Sequence, residues 1–274
     1  MFCCPNCKQP LTRLEHVYRC ENGHCFDIAS GGYVNLLLAN QKSSKNPGDN
    51  PTMIGARTYF LNSGSYSCLS DHLNHTIDSL CSANSSVILD AGCGEGYYAQ
   101  RLYQQLTNLG KSVQIFGIDL SKNGVKSASK RCSSGYFAVA SLFDLPFADN
   151  TIDLVYNVFS PLCPTEFFRV LKPDGYFVAV YPAARHLFGL KEVLYENPYE
   201  NAEKSFELDG FQITDKKRVS YTMDLSSQQT IYSLYTMTPY FYKTPLSGAE
   251  RLAKLEYLQT EADFWIITYE KTAG

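Results

Sequence analysis

Charge is scarce in this 274-residue chain. Asp, Glu, Lys and Arg make up 19%, the formal net charge is -3, and the isoelectric point is near 6.0. Nothing supplies a global positive field, which excludes a histone-like or tail-driven nucleic-acid binder and leaves only binding through local patches. Long apolar runs are also missing, and none approaches the roughly 18 residues needed to span a bilayer. The longest, such as Tyr176–Tyr181 and Phe264–Ile267, have the length of buried strands. The start, Met1-Phe2-Cys3-Cys4-Pro5, lacks the basic and apolar regions of a secretory signal, so the expected location is cytoplasmic. Ten cysteines are too sparse for a disulfide scaffold at this length. What is present is enough apolar residue, 45%, to build a full core.

The cysteines are unevenly placed. Five of the ten lie within residues 1–25. Cys4-Pro5-Asn6-Cys7 is a C-x2-C and Cys20-Glu21-Asn22-Gly23-His24 a C-x3-H, with a hairpin-sized segment, Leu11–Arg19, between them. Three thiolates and an imidazole at one point suit tetrahedral zinc. A module of about 25–30 residues buries too little apolar surface to fold alone, so the metal would supply its folding energy. Cys4, Cys7, Cys20 and His24 are the expected ligands. Cys3 and Cys25 are spare thiols, and His24 against Cys25 is the open choice. No residue here builds an open coordination position, so the expected role is structural. A redox C-x-x-C would sit at a helix start after a strand, which Cys4 cannot do so near the terminus.

The polar stretch Asn40–Pro51, with two prolines and a glycine, reads as a linker or mobile loop. The expected organisation is a zinc module over 1–38, a linker over 39–51 and a larger domain over 52–274. In that domain helical spacing covers Met53–Leu61, Leu69–Leu80, Tyr98–Leu109, Lys122–Arg131 and Glu166–Leu171. Strand-like runs cover Ser86–Asp90, Val113–Asp119, Gly135–Ala140, Thr151–Val158 and Tyr176–Tyr181, with a late strand over Phe264–Tyr269. This alternation predicts an α/β fold with a Rossmann-like, doubly wound, mostly parallel sheet. Residues 183–250 carry many aromatics without a clear period, and are expected to cap the sheet or wall a substrate pocket.

Asp90-Ala91-Gly92-Cys93-Gly94-Glu95-Gly96 joins a strand to a helix. Glycines at 92, 94 and 96 allow a sharp turn and close approach of a ligand to the main chain. A dinucleotide fingerprint would need glycine where Tyr97 stands, and no Gly-Lys-Ser/Thr follows for a P-loop. The D-x-G-x-G-x-G pattern instead resembles motif I of class I S-adenosylmethionine-dependent methyltransferases. Further pieces follow in order. Asp119 ends the second strand, where an acid can take ribose hydroxyls. Ala140–Phe147 resembles the adenine-side motif, with Ser141 where an Asp is usual. Asp149–Val155 and Arg169–Tyr176 resemble the fourth strand and the turn before the fifth.

The knuckle, linker and core together are similar to the bacterial 23S ribosomal RNA (guanine-N1)-methyltransferase family. The matching residues include Cys4-Pro5-x-Cys7, Gly32-Tyr33-Val34-Asn35, Pro47-Gly48-Asp49, Ala56-Arg57, Gly64-x-Tyr66, Arg185-His186-Leu187 and Met237-Thr238-Pro239. The resemblance covers nearly the whole chain. It implies an RNA-recognising zinc-ribbon-like domain, a catalytic domain using S-adenosylmethionine, and methylation of a guanine in a 23S rRNA hairpin. It also implies that Tyr66, Gly94, Glu95 and His186 help hold the cofactor, alongside Asp90, Gly92, Gly96, Asp119, Ser141 and Asn157. A branch of the family is linked to tylosin resistance, and a two-subunit RNA clamp is the assembly the family suggests.

Guanine N1 carries a proton that a base or water must remove. Asn157 and Ser160 lie near the cofactor end of the fourth strand but are weak bases, so no catalytic residue is assigned. Phe159, Tyr240 and Phe241 are candidates to stack on the target base. Residues 1–57 carry a balance of +2, leaving -5 for the remainder, which points to the zinc end and linker as the RNA grip. Lys122, Lys126, Lys130 and Arg131, and the cluster Lys216-Lys217-Arg218, would extend it. The alternatives are a small-molecule methyltransferase, which gives no reason for the zinc module, and an RNA cytosine-C5 methyltransferase. The latter needs a cysteine nucleophile, and Cys163 reads instead as a small apolar residue. A binding module using the cofactor only as a structural ligand is a third.

Overall fold

The computed structural model describes residues 2–41, 48–81, 85–202 and 205–272. Six of the linker residues, 42–47, with Lys42 and Lys45, therefore lie outside the described residues. Among the described residues no helix is long and apolar enough to cross a membrane.

The chain opens with a three-stranded antiparallel sheet, β1 (Thr12–Arg13), β2 (Val17–Arg19) and β3 (Cys25–Asp27), followed by the short β4 (Val34–Asn35). Helices α1 (Pro51–Asn62) and α2 (Ser67–Leu80) lead into the alternating region. That region runs β5 (Ser86–Ala91), α3 (Tyr97–Asn108), β6 (Val113–Asp119), α4 (Lys122–Arg131), β7 (Tyr136–Val139), β8 (Ile152–Val158), α5 (Pro164–Val170) and β9 (Leu171–Pro182). It closes with α6 (Phe188–Leu194), β10 (Phe211–Leu225), α7 (Gln228–Thr236), α8 (Leu246–Leu252) and β11 (Leu258–Lys271). The strands form one eight-stranded sheet ordered β10-β11-β9-β8-β5-β6-β7-β4. Pairing is parallel from β4 to β9, and β10 and β11 are antiparallel. The order reverses between β5 and β8, and the crevice at such a switch point is where open α/β sheets bind ligands.

Side chains alternate between the two faces, and both faces are buried. Ile88, Ile115, Phe137 and Leu154 join the core under α2, α3 and α4. Leu89, Phe116, Ala138 and Val155 join the opposite core. Helix α5 supplies Phe167 and Val170 to that second core, and the cysteine-rich end supplies Phe2, Cys4, Leu11, Tyr18 and Cys20. Phe2 packs edge-on to Phe116, with ring centroids 5.3 Å apart. The zinc-type module is thus one layer of the α/β sandwich, covering the β6–β7 face where a helix would otherwise lie. Its continuation β4 extends the main sheet, pairing Val34 with Ala138 and Asn35 with Val139. A boundary after residue 38 consequently cuts through a shared core.

The linker's far end is also part of the fold. Asn50 caps α1 by accepting from the Met53 amide at 3.0 Å, with Pro51 in the first turn. Asp49 accepts from the Ser121 hydroxyl through its carbonyl at 2.7 Å, and Ser121 in turn caps α4.

Candidate functional sites

The metal knuckles come first. Lys8, with φ +60°, and Gly23, with φ +82°, let the chain double back after each Cys pair. The Lys8 amide donates to the Cys4 carbonyl at 2.8 Å and the Gly23 amide to the Cys20 carbonyl at 3.0 Å. These turns bring the donor atoms of Cys4, Cys7, Cys20 and His24 within 4.8 Å of one another. His24 Nδ1 lies 3.5 Å from Cys4 Sγ and 3.4 Å from Cys20 Sγ, and Cys7 and Cys20 sulfurs are 3.7 Å apart. Tetrahedral zinc with Zn–S near 2.3 Å spaces its sulfurs by about 3.8 Å, so the donor set and its spacing fit the ion. The Gln9 amide and the Asn22 side chain hold the Cys7 thiol down to about 6, as a thiolate ligand requires. Cys25 is exposed, with its sulfur near the Gly23 carbonyl, which settles the choice in favour of His24. Four protein donors leave no open position, so the site is structural.

At the switch point the glycine turn is built against close neighbours. Gly92 has φ +92°, and a Cβ there would sit 2.1 Å from the Ser160 hydroxyl. Gly96 has φ +84° and starts α3, where a Cβ would meet the Ala128 backbone at 2.7 Å. The turn is therefore pressed between α4 and the loop after β8, with its main chain bare. The Gly94 amide donates to Asp119 Oδ2 at 2.9 Å and the Ser121 amide to Oδ1 at 2.7 Å. Burial raises the Asp119 carboxyl while these amides oppose the shift. Asp90 is buried at the end of β5, and among the described residues its Oδ2 has no hydrogen-bond partner. Burial pushes its pKa up to about 8, with the Tyr156 hydroxyl opposing and the charges of Asp119 and Glu95 adding. Such an orphaned acid beside a bare turn fits a ligand that brings a positive charge.

Above the turn lies an aromatic group. Tyr66, Phe159, His186 and Phe264 have ring centroids 4.5–6.4 Å apart. Phe159 follows β8 with φ +58°, a strained conformation for a bulky residue, and is 44% exposed. His186 is buried, its Nδ1 faces the Asp263 amide at 3.5 Å, and desolvation lowers its pKa to about 3. It is a neutral ring, compatible with a neighbouring sulfonium, whereas an imidazolium would repel one.

Other expected site residues are engaged elsewhere. The Glu95 carboxylate turns inward to Arg131 at 2.7 Å. The Ser141 hydroxyl accepts from the Phe143 amide at 3.1 Å within its own turn. Asn157 is buried and donates to the Ala91 carbonyl at 2.9 Å and the Pro161 carbonyl at 3.3 Å, tying the β8 loop to the turn. Sequence reasoning missed Ser160 as the lid of Gly92 and Phe264 as a wall of the aromatic group. Phe264 stood in a predicted strand, but only the long-range pairing of β11 with β9 brings it here. The Lys216–Arg218 cluster is not one patch: Lys216 stacks on Trp265, and Arg218 pairs with buried Asp263 at 2.8 Å.

Comparison with known proteins joins these sites in one lineage. Residues 2–45 match the family model described as "RlmA, N-terminal", and residues 82–235 match a methyltransferase domain model. A solved methyltransferase from Bacillus halodurans C-125 shares the fold, with a TM-score of 0.50 and 14% identity over 74% of this chain and 98% of that one. The 23S rRNA (guanine(748)-N(1))-methyltransferase of Streptomyces fradiae is 34% identical over 193 residues, covering 70% of this chain and 66% of that protein. The YxjB protein of Bacillus subtilis (strain 168), named for 23S rRNA (guanine-N1) methylation, is 31% identical over 97% of this chain and 96% of its own length. With the zinc ribbon, the glycine turn and this end-to-end match in the same order, the chain belongs to the 23S rRNA (guanine-N1)-methyltransferase family.

Proposed function

We propose that the chain transfers the methyl group of S-adenosylmethionine to N1 of a guanine in a hairpin of 23S rRNA, in the cytoplasm. The observation that carries this reading is the match along 97% of the chain to a relative named for that reaction, with both sites built from residues of this chain. Bound S-adenosylmethionine supplies an electrophilic methyl carbon on a sulfonium. The residues of the chain then have to bind, orient and exclude water. Asp119 is assigned to the ribose hydroxyls, and the side-chain-free backbone of Gly92, Gly94 and Gly96 to close approach of the ligand to the main chain. Asp90 is assigned to the cationic end of the cofactor, and Ser141 to the adenine side. Tyr66 and His186 form an apolar, neutral wall around the sulfonium. Glu95 and Asn157 act through the positions they fix, since their polar atoms face Arg131 and two carbonyls.

Phe159 is the surface on which the guanine stacks once it leaves its helix, because its ring is exposed beside the buried part of the aromatic group. No residue of this group is a competent base for the N1 proton. His186 is held neutral with Nδ1 already facing an amide, and Asn157 does not titrate. The proton goes to water as the new N–C bond forms. The zinc layer supplies the RNA contact, and a homodimer would let two such layers clamp one hairpin.

The reading is tested by mapping methylated guanines in 23S rRNA from a strain lacking the protein, then restoring the mark with purified chain and a hairpin transcript. One unmethylated guanine in the deletion strain, restored in vitro, is expected. An unchanged methylation map with transfer to a small metabolite would replace this reading with the metabolite enzyme.

A further inference from the structure

Five charged side chains, Arg57, Asp49, Glu95, Asp119 and Arg131, gather around the glycine turn. Arg57 of α1 forms an ion pair with Asp49. Its Nη1 would lie 3.5 Å from a Cβ placed on Gly94, so the guanidinium rests against the bare turn. It is also within electrostatic reach of Glu95 and Asp119. Glu95 already has a close cation in Arg131, which is further held by Asn62 and the Tyr97 ring. The ion pair with Asp49 engages part of the Arg57 fork, and the side chain is 27% exposed. A guanidinium carries five donors in a fixed fork.

The cofactor's charges explain such a placement. S-adenosylmethionine carries an ammonium and a sulfonium, and also a carboxylate on the same amino-acid end. Asp119 accepts from the Gly94 amide of the turn, and Asp90 becomes a carboxylate beside it once a cation binds, so the site suits the cations and opposes the carboxylate. A carboxylate entering this field needs a positive fork nearby, and bidentate pairing with arginine is its strongest partner.

We infer that Arg57 is the clamp for the cofactor's methionyl carboxylate, held ready by Asp49. This rests on the assignment of the glycine turn to S-adenosylmethionine. Asp49 is itself fixed from the other side, through the Ser121 hydroxyl on its carbonyl at the tip of β6. The strap at Gly48–Asp49 packs against Ser121 so closely that a Cβ on Gly48 would sit 2.7 Å from the Ser121 amide nitrogen. The clamp is therefore positioned from β6, the same strand that carries Asp119.

The test compares two ligands by calorimetry on the full chain. S-adenosylhomocysteine has the amino-acid end, and 5′-methylthioadenosine has the same nucleoside without it. Arg57→Gln is expected to weaken S-adenosylhomocysteine about 10- to 100-fold, the loss typical of a charged hydrogen-bonded pair, while 5′-methylthioadenosine changes less than about twofold. Arg57→Lys is expected to fall between, because it keeps the charge and loses the fork. It carries the same comparison if the glutamine variant does not fold. An equal loss for both ligands, or no loss for either, overturns the clamp. If the unaltered protein binds neither ligand, the assignment of the turn itself fails, and that outcome is distinct.

Discussion

At the scale of single residues the most consequential group is Asp90. It is a buried carboxyl with an unsatisfied oxygen, raised to about 8 chiefly by burial. An unfolded chain would hold this acid near the ordinary value of about 4. Between those values the native state keeps a proton that the unfolded state has lost, so this residue's contribution to stability falls as pH rises through the window and levels off above about 8. A cationic ligand reverses the preference by favouring the carboxylate. Cofactor binding at pH 7 is therefore expected to release close to one proton from the protein. Calorimetry in two buffers of different ionisation enthalpy reads this as different apparent heats for S-adenosylhomocysteine. Asp90→Asn should make the two heats agree. Equal heats with the unaltered protein would remove Asp90 from the cationic end of the ligand.

The residues around Asp90 also show what a sequence discloses. Gly92, Gly94, Gly96 and Asp119 are legible because backbone geometry and strand-end position dictate their types. Glu95 looks identical to a binding acid in the linear pattern. Only the approach of Arg131 from α4 shows that its carboxylate faces inward. Arg57 is marked in the linear pattern only by the family resemblance at Ala56-Arg57, and its role cannot be read there, since its neighbours Asp49, Gly94 and Glu95 converge only in three dimensions.

At the scale of elements, the zinc ribbon is welded to the methyltransferase sheet. β4 is its hydrogen-bonded edge, and Phe2, Tyr18 and Cys20 share one core with Phe116 and Phe147. The ribbon also grips the turn over 140–147 that resembles an adenine-side motif. The Cys3 amide donates to the Pro146 carbonyl at 2.7 Å, Gln41 donates to Asp144 at 2.7 Å, and Lys8 pairs with the same carboxylate. Removing zinc, by chelation or Cys7→Ser, should thus lower the melting temperature of the whole chain in one transition. A loss of about 3 kcal/mol would move it by roughly 6–12 °C in a domain of this size. Affinity for S-adenosylhomocysteine should fall with it. A second transition at the original temperature, with cofactor affinity intact, would mean the layers are independent. The sequence separates this region by its cysteines and suggests an appendage, because a two-residue strand such as Val34–Asn35 leaves no periodic signal.

The other illegible element is β10. Its 15 residues, among them Lys216, Lys217 and Arg218, form the outer edge of the sheet, with most side chains outside the core. Charges along an edge strand discourage pairing with another chain, and they also erase the alternation by which a strand is recognised. Its partner β11 lies beyond α7 and α8, so no hairpin signal joins them. By contrast, Val113–Asp119 and Lys122–Arg131 are legible to the residue, because the first is buried on both faces and the second is capped by Ser121.

At the scale of the whole molecule, charge is arranged rather than abundant. The chain is negative overall, yet α4 presents Lys122, Lys126 and Lys130 at four-residue spacing on its exposed side, while Gly124, Val125, Ala128 and Ser129 are buried. Helix α4 itself borders the zinc layer: a Cβ on Gly31 would lie 3.5 Å from the Ser129 hydroxyl. Arg131 is not part of the lysine stripe, being bound to Glu95. The ribbon adds Arg13 and Arg19, both exposed. A phosphate backbone that crosses both the ribbon and α4 would meet these cations, and phosphate contacts make affinity fall steeply with salt. Replacing Lys122, Lys126 and Lys130 together by alanine should flatten the plot of log affinity for the rRNA hairpin against log salt by about 2, since each contact contributes roughly 0.7–0.9. Affinity for S-adenosylhomocysteine should stay the same, because the three ammonium groups point away from the glycine turn's side of α4. Filter binding at several salt concentrations checks the first expectation and calorimetry the second. An unchanged salt slope would move the RNA grip off α4, to the strand and loop surface around Phe159.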